Sequence, residues 1–335
     1  MPSVYILTPR SRLHLRSERL EVWAPAGRDE PPQKIQDLPL HDLERVILEE
    51  GGQITSEALS ALLRAEIPVS LIGWNDRFLG GFLPPSNQHG LFRLHQYRQT
   101  LNPDFALAAA RKLVQAKIHN QKRLLQRLAA NRSLSAAGSS GFLQSVQNQV
   151  ANVRNLEALR GLEGVAAAHY FGAWAGFLPE AFPFERRSTC PPHNAVNACI
   201  SFGGSLLYNE CATAIHARGL DPALGLLHAT ENGRWSLALD LMEPFRPVVV
   251  EALTMDLFSH GMLGEGAFEP RNGGVYLSHE GRRVFLPQYE RRMEREFDSR
   301  HCGHRTTLRK QLAEAVSRLK AAFENPDRFE PFEMN

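Results

Sequence analysis

Several features are scarce in this 335-residue sequence, and each scarcity narrows the class of protein. There are only four cysteines, and none of them form a C-x-x-C pair, so neither a disulfide framework nor a paired-cysteine zinc finger is indicated. No apolar run is long enough to span a bilayer. The N-terminus also lacks the basic stretch and apolar run of a secretory signal. We therefore expect a cytoplasmic protein with reduced thiols and no membrane contact.

A large net charge is also missing. The sequence has 38 Lys and Arg against 36 Asp and Glu, which gives a formal net charge of +2. This balance neither supports nor excludes a nucleic-acid partner, because local patches of charge matter more than the total. Hydrophobic residues make up 43% of the chain and charged residues 22%. Such a composition is typical of a globular protein with a large core, and the length suggests two domains.

The two halves of the sequence differ in the periodicity of their apolar residues. Up to about residue 80, short β-prone runs alternate with turn signals, and one helix is predicted at Glu57–Ala65 behind a capping Thr55 or Ser56. A Pro-Pro-Ser-Asn boundary at 84–87 follows, and apolar residues then recur at helical spacing, first over Phe105–Ala130. We therefore predict an α+β protein with a small β-rich N-terminal domain (1–84), a linker (85–104) and a larger all-α C-terminal domain (105–325).

Apolar periodicity and turn residues predict further elements after residue 140. The helical candidates are Gln144–Leu178 (one or two helices), Asn194–Arg218, Asp240–Ser259 and Thr306–Phe323. A small hairpin is predicted from Gly274–Leu277 and Arg283–Leu286. The glycine-rich stretch Gly261–Asn272 is predicted to be mobile.

The residues best suited to catalysis lie between Leu226 and Pro247. His228 follows a turn rich in glycine and proline, and two carboxylates, Asp240 and Glu243, come after it. Imidazole and carboxylate groups together can bind a divalent cation. Glu163 is a further candidate ligand because it lies among small and apolar residues, where an unpaired charge is costly. These four residues are the predicted catalytic site.

Each of the four also has a plainer interpretation. Glu163 can be a solvated glutamate at a helix crossing, and His228 can be a core histidine with satisfied hydrogen bonds. The D-L-M-E sequence from Asp240 to Glu243 matches a capping box, with Asp240 as the N-cap residue and Glu243 at the third helical position. A capped helix can still project Glu243 into a site, so the two interpretations are compatible.

Basic residues that can contact phosphates are spread along the second half. A single surface arginine is usually just solvated, so each of them is a weak signal by itself. The candidates for DNA binding are Arg93, Arg98, Arg187, Arg246, Arg305 and Arg309.

Five ordered sequence blocks carry a resemblance to a known family. They are A-R-K-L-V-Q-A-K-I-H-N-Q, G-L-E-G-V-A-A-A-H-Y-F, P-P-H-N-A-V-N-A-C-I-S-F-G-G-S-L-L-Y-N, G-L-D-P-A-L-G-L-L-H and S-L-A-L-D-L-M-E-P-F-R-P. In this order they resemble the CRISPR-associated Cas1 proteins, the integrases of spacer acquisition. The resemblance extends from Val4 to about Lys320.

This resemblance implies a site and a set of partners. It assigns metal-ligand roles to Glu163, His228 and Glu243, and it matches Asp240 to an additional acidic position near the metal. It implies that the β-domain forms a homodimer and that a dimer of the small Cas2 protein bridges two such dimers. It also implies double-stranded DNA substrates, the prespacer and the CRISPR repeat, and a Cas4 nuclease as a further partner or fused domain in some relatives.

The implied reaction is a transesterification, in which the 3′-hydroxyl of a short DNA attacks a phosphodiester of the repeat array. Mg²⁺ is the expected ion, and the imidazole ligand makes Mn²⁺ a substitute. Two alternatives remain open at this point. One is a stand-alone metal-dependent nuclease or transposase with the same ligands. The other is a non-catalytic DNA-binding scaffold whose acidic residues only cap helices.

Overall fold

The chain divides into a sheet-rich part and a helical part. The structure, a computed structural model, describes residues 3–25, 31–73, 78–84, 90–132 and 136–335. Its contacts form two compact units, Met1–Asn87 and Gln88–Asn335. The first is mostly strand and the second mostly helix, which confirms the predicted α+β class and the order of its two parts. None of the described helices is both long and apolar enough to cross a membrane.

The first unit consists of two four-stranded sheets, one α-helix and one short 3₁₀-helix (Leu40–Asp42) in its described part. Its strands are β1 (Ser3–Ile6), β2 (Arg12–Arg16), β3 (Arg19–Ala24), β4 (Gln33–Pro39), β5 (Arg45–Glu49), β6 (Gln53–Ile54), β7 (Val69–Ile72) and β8 (Phe78–Phe82). The first sheet has the order β1-β5-β7-β8, with β1, β5 and β7 parallel and β8 antiparallel. The second has the order β4-β3-β2-β6, antiparallel except for β2 and β6.

Alternating apolar residues of these strands face a common core. Leu13 of β2 and Val46 of β5 are fully buried in it, together with Leu62 of the α-helix, α1 (Ser56–Arg64). The helix begins where the sequence predicts, because the Thr55 side chain accepts a hydrogen bond of 3.2 Å from the amide of Ala58. This cap satisfies one of the free amides of the first turn.

The second unit is built from nine described α-helices and two hairpins. The helices are α2 (Gly90–Thr100), α3 (Pro103–Asn131), α4 (Ala137–Val150), α5 (Leu156–Ala175), α6 (Ala195–Ala217), α7 (Ser236–Met242), α8 (Ala252–Ser259), α9 (His279–Glu294) and α10 (Leu308–Ala322). The hairpin strands are β9 (Phe268–Arg271) with β10 (Gly274–Leu277) and β11 (Phe297–Ser299) with β12 (His304–Thr306). In the predicted linker, 85–89 lie outside the described residues, and α2 follows directly.

Helix α3 is the longest element of this unit, and it packs against α4 and α5. The buried side chain of Asn120 connects it to two distant segments. Its amide donates to the carbonyl oxygens of Pro244, at 2.7 Å, and Phe332, at 3.0 Å. Its oxygen accepts from the amide of Met334 at 2.7 Å. The helix thus anchors both the C-terminal residues and the segment that follows α7.

Two predicted elements of the second half are wrong. The β10 strand pairs with the preceding Phe268–Arg271, not with Arg283–Leu286, which lies inside α9. The Asn272-Gly273 turn has positive φ angles of 48° and 76°, the conformation of a tight two-residue hairpin. Predicted helix Asp240–Ser259 is interrupted in the structure. Helix α7 ends at Met242, and a π-helix at Pro247–Glu251 leads into α8.

Candidate metal centre

Asp240 organises the loop that carries His228. It lies inside α7 and is fully buried. Its carboxylate accepts hydrogen bonds from the backbone amides of Leu226 (2.5 Å), Leu227 (3.0 Å) and His228 (2.9 Å). The predicted N-cap role of Asp240 is therefore wrong, because α7 begins four residues earlier, at Ser236. The carboxylate satisfies the amides of a neighbouring loop and not those of its own helix.

The same carboxylate orients the His228 imidazole. Nδ1 of His228 lies 2.6 Å from Oδ1 of Asp240, so Nδ1 donates its hydrogen to this carboxylate, and in the neutral ring Nε2 keeps its lone pair for another partner. Burial opposes the charged ring, but the hydrogen bond and charge of Asp240 outweigh it and raise the pKa of His228. The loop requires a glycine at position 225, because a Cβ there would collide with the His228 carbonyl oxygen.

Helix α5 carries Glu163 and is bound to the same loop. The side chain of Asn155 caps this helix by accepting from the amide of Ala158 at 2.8 Å. One turn before Glu163, the guanidinium of Arg160 donates two hydrogen bonds, of 2.9 and 2.6 Å, to the carbonyl oxygen of Leu227. The glutamate and the histidine loop are therefore held at a fixed spacing. The side chain of Glu163 is 26% exposed, so the site opens to solvent on this side.

Glu243 is the buried carboxylate of the site. Its Oε1 accepts a hydrogen bond of 3.2 Å from Arg246, and its Oε2 lies 2.5 Å from the ammonium nitrogen of Lys117. Burial disfavours its charge, but the charges of Lys117 and Arg246 outweigh burial and lower the pKa of Glu243 to about 2. It is therefore ionised at any working pH. Oε2 is buried and has no hydrogen-bond partner besides this ion pair.

Lys117 of α3 is a site residue that the sequence analysis missed. Its ammonium contacts Glu163 as well as Glu243 and therefore bridges the two carboxylates. Burial disfavours the charge, but Glu243 and Glu163 outweigh burial and raise the pKa of Lys117. One signal was available, because Lys117 lies on the apolar face of α3, between the buried Leu113 and Leu124. A lysine at such a position needs an acidic partner.

Arg246 extends the charge network beneath the site. Burial disfavours its charge, but the carboxylates of Glu243 and Glu251 outweigh burial and raise its pKa. Glu251, in the π-helix, is itself buried, and burial raises its pKa despite the nearby Arg246. A π-helical turn is often found at functional sites. Here it brings a second carboxylate to the same arginine.

Two of the predicted ligands, Glu163 and Glu243, meet at one ammonium, that of Lys117. His228 lies within electrostatic range of both Glu243 and Lys117. Across the described ranges, no three His, Cys, Asp or Glu side chains are close enough to share one metal ion as they stand. The Lys117 ammonium lies between the carboxylates of Glu163 and Glu243, a position that suits a positive charge. Two carboxylates and one imidazole are nevertheless a donor set that suits Mg²⁺ or Mn²⁺. The buried Oε2 of Glu243, which now has the Lys117 ammonium as its partner, is also suited to bind such an ion.

The six predicted DNA-binding arginines differ in how exposed they are and in which groups they contact. Arg309 is 8% exposed, and its guanidinium pairs with Glu210, Glu290 and Glu294. The side chain is therefore largely buried and paired with three carboxylates within the unit, and its DNA contact stays a prediction. Arg305 and Arg98 are exposed, Arg305 in an ion pair of 2.9 Å with Glu296.

The remaining arginines make contacts within the unit. Arg93 is exposed and donates to the carbonyl oxygen of Gly219 at 3.2 Å. Arg187 donates to Asn197 at 2.8 Å and to Ser201 at 3.1 Å, which ties the preceding loop to α6. Burial, followed by the charge of Arg246, lowers the pKa of Arg187 to about 10. Arg246 is 23% exposed and stands at the site itself.

Comparison with known proteins identifies the family. A profile of the family described as CRISPR associated protein Cas1 matches residues 4–291. This chain is therefore a member of the Cas1 family. It is 32% identical to a CRISPR-associated endonuclease Cas1 of Thermodesulfovibrio yellowstonii, over 88% of this chain and 92% of that protein. It is 31% identical to a Cas4/endonuclease Cas1 fusion of Geobacter sulfurreducens, of which it spans only about half the length, 53%.

Solved structures share the fold. A casposase bound to its integration product superposes with a TM-score of 0.86 at 22% identity, covering 97% of this chain and 91% of that one. A Cas6-RT-Cas1 protein in complex with Cas2 gives a TM-score of 0.82 at 24% identity, covering all of this chain and 36% of that one. At these identities the matches establish the architecture of the chain.

Proposed function

We propose that this chain is a metal-dependent DNA integrase and endonuclease that inserts short prespacer DNA into a CRISPR repeat array by transesterification. The observation that carries this proposal is that Glu163 and Glu243 meet at one cation, with His228 within electrostatic range of Glu243, in a chain of the Cas1 family. Relatives named endonucleases and the fold shared with a casposase support the same reaction class. The site of action is the cytoplasm of a prokaryotic cell.

Glu163, His228 and Glu243 are the proposed ligands, and Mg²⁺ or Mn²⁺ is the proposed ion. When bound, such an ion polarises the phosphate and stabilises the attacking and leaving oxygens. Asp240 holds the proton on Nδ1 of His228 and so presents Nε2 to the site. Such a carboxylate–histidine pair is the usual outer-shell arrangement of a metal ligand.

The cations of the site act on the phosphate charge. Arg246 is bound to Glu243 and partly exposed, so it can contact the phosphate that is attacked. The exposed Arg93, Arg98 and Arg305 are proposed contacts for the DNA backbone. Strand transfer itself needs no separate protein base in this scheme, since positioning and charge stabilisation contribute most in phosphoryl transfer.

The partners are proposed on the same basis. A Cas2 dimer bridging two homodimers is supported by the shared fold with a Cas1 chain in a Cas2 complex. A role of the β-rich first unit in forming the homodimer is part of this proposal. A Cas4 nuclease is proposed as a further partner because relatives occur as Cas4/Cas1 fusions.

A product assay tests the reaction. The protein, with a Cas2 partner and Mn²⁺, is given a labelled short duplex with free 3′-hydroxyls and an unlabelled plasmid that carries a repeat. The proposal predicts that label becomes covalently attached to the plasmid, and that 3′-dideoxy ends abolish attachment. Plasmid that is cut without attached label indicates a stand-alone nuclease. Binding without cutting or joining indicates a DNA-binding scaffold.

A further inference from the structure

Lys117 occupies the position between Glu163 and Glu243 that a metal ion bound by both residues must take. Its ammonium contacts both carboxylates, and its side chain is only 9% exposed. We propose that Lys117 is a placeholder cation that holds the two glutamates in position before the metal binds and that the metal must displace. This inference rests on the proposed metal site and adds a residue that determines its affinity.

Electrostatics make a placeholder necessary. Glu243 is 5% exposed and contacts two cations, Lys117 and Arg246, and a buried carboxylate without a cation is strongly unfavourable. Arg246 contacts only Oε1 of Glu243, so Lys117 is the described cation beside Oε2. Without Lys117 and without metal, Glu163 and Glu243 would repel each other across the site.

The same position makes Lys117 a competitor of the metal. A divalent ion that binds Oε2 of Glu243 and Glu163 needs the space and the lone pairs that the ammonium now uses. Two cations so close together in a partly buried site repel each other by several times the thermal energy. Binding of the ion therefore requires the lysine side chain to move away, and its cost lowers the affinity of the site.

The location of Lys117 allows this exchange. It extends from α3, whereas Glu163 extends from α5 and Glu243 from the segment after α7. A lysine has four rotatable side-chain bonds, so its ammonium can move while the three backbone segments stay in place. These segments are held independently of Lys117, by Arg160 bound to the carbonyl of Leu227 and by Asn120 bound to the carbonyl of Pro244.

Titration calorimetry with Mn²⁺ tests the proposal on the full chain. Lys117→Met removes the ammonium and keeps the volume of the side chain. We expect its Mn²⁺ dissociation constant to be roughly tenfold or more below that of the wild type. The matched control is Lys122→Met, which removes a positive charge from a more exposed position of the same helix and is expected to leave the constant unchanged.

Thermal unfolding supplies an independent readout. In EDTA, Lys117→Met is expected to melt at a lower temperature than the wild type, and saturating Mn²⁺ is expected to raise its melting temperature by a larger increment. Lys117→Gln is measured in parallel, with the same expectation, in case the methionine variant does not fold.

The outcomes separate this proposal from the one on which it rests. An unchanged or weaker Mn²⁺ affinity in the Lys117 variants overturns the placeholder role, because it shows that the lysine supports metal binding or takes no part in it. Wild-type protein that binds no Mn²⁺ overturns the metal site itself, and with it the proposed function. Tighter binding in both Lys117 variants, with the control unchanged, supports the placeholder.

Discussion

Two clusters of buried charge lie in the helical unit, and their construction differs. In the first, Arg309 pairs with Glu210, Glu290 and Glu294, and the arginine is 8% exposed. In the second, the proposed metal centre, Lys117 bridges Glu163 and Glu243, and a buried carboxylate oxygen has only that ammonium as its partner.

The two clusters differ in how easily a metal ion can replace the central cation. A guanidinium donates in fixed directions from a planar group, so Arg309 binds several carboxylates at once and stays in place. The ammonium of Lys117 is a compact charge on a flexible chain, and a metal ion can take its position. The second cluster also has a nearby imidazole, that of the proposed ligand His228, which Asp240 holds in position. In the proposed scheme, a metal ion can replace the counter-charge of the second cluster but not that of the first.

Removing a carboxylate should abolish catalysis at the proposed metal centre and leave it unchanged at the Arg309 cluster. Glu243→Gln is expected to abolish covalent joining of labelled prespacer to the repeat plasmid, because the amide cannot supply the second anionic ligand. Glu290→Gln, which keeps two carboxylates on Arg309, is expected to join at the wild-type rate. Gel analysis of both variants at matched concentration measures this. Joining by Glu243→Gln would remove that residue from the proposed ligands.

Removing Arg309, the central cation of the first cluster, should lower the free energy of unfolding. Arg309→Met removes the guanidinium that pairs with the buried Glu210, and breaking a buried ion pair in this way costs about 3–5 kcal/mol. We expect the free energy of unfolding in urea to fall by that amount, with the Mn²⁺ affinity of the folded protein unchanged. A loss below about 1 kcal/mol would instead be typical of an exposed ion pair.

The pair of Asp240 and His228 gives a smaller and more specific test. The two carboxylate oxygens of Asp240 accept from two groups of donors, Oδ2 from the amides of Leu226 and Leu227, and Oδ1 from the amide and ring of His228. An asparagine has only one acceptor oxygen, so Asp240→Asn must leave one group unpaired. We expect its Mn²⁺ affinity to fall by about tenfold to a hundredfold.

Calorimetry on Asp240→Asn measures this directly, and circular dichroism shows whether the helices persist. An unchanged affinity in a folded variant would mean that Asp240 supports the loop without setting the orientation of the imidazole.

Local sequence signals predicted much of the fold. Thr55 caps α1 as expected, and the apolar periodicity of Phe105–Ala130 corresponds to α3. The predicted pairing of Gly274–Leu277 with Arg283–Leu286 is wrong because the turn decides the strand pairing. The Asn272-Gly273 turn pairs β10 with the strand before it. The pattern from Asp240 to Glu243 also fits a capping box, and only the packed loop at Leu226 shows that the aspartate has other donors.

The site was predictable only in part. The resemblance to the Cas1 family supplied Glu163, His228 and Glu243, which local patterns alone left ambiguous. Lys117 was missed because its partners lie far along the chain, 46 positions away for Glu163. The ion pairs of Arg309 were not predicted for the same reason, since Glu210 is 99 positions away. A single sequence does not show which distant charges meet.

The most direct test of the metal centre is Mn²⁺ binding by Glu163→Gln beside Glu157→Gln. Both glutamates lie on α5, but Glu157 is exposed in the first turn, away from the other ligands. We expect the wild type and Glu157→Gln to bind one Mn²⁺ per chain, and Glu163→Gln to lose that binding. Mn²⁺ bound by Glu163→Gln with wild-type affinity would contradict the proposed metal centre.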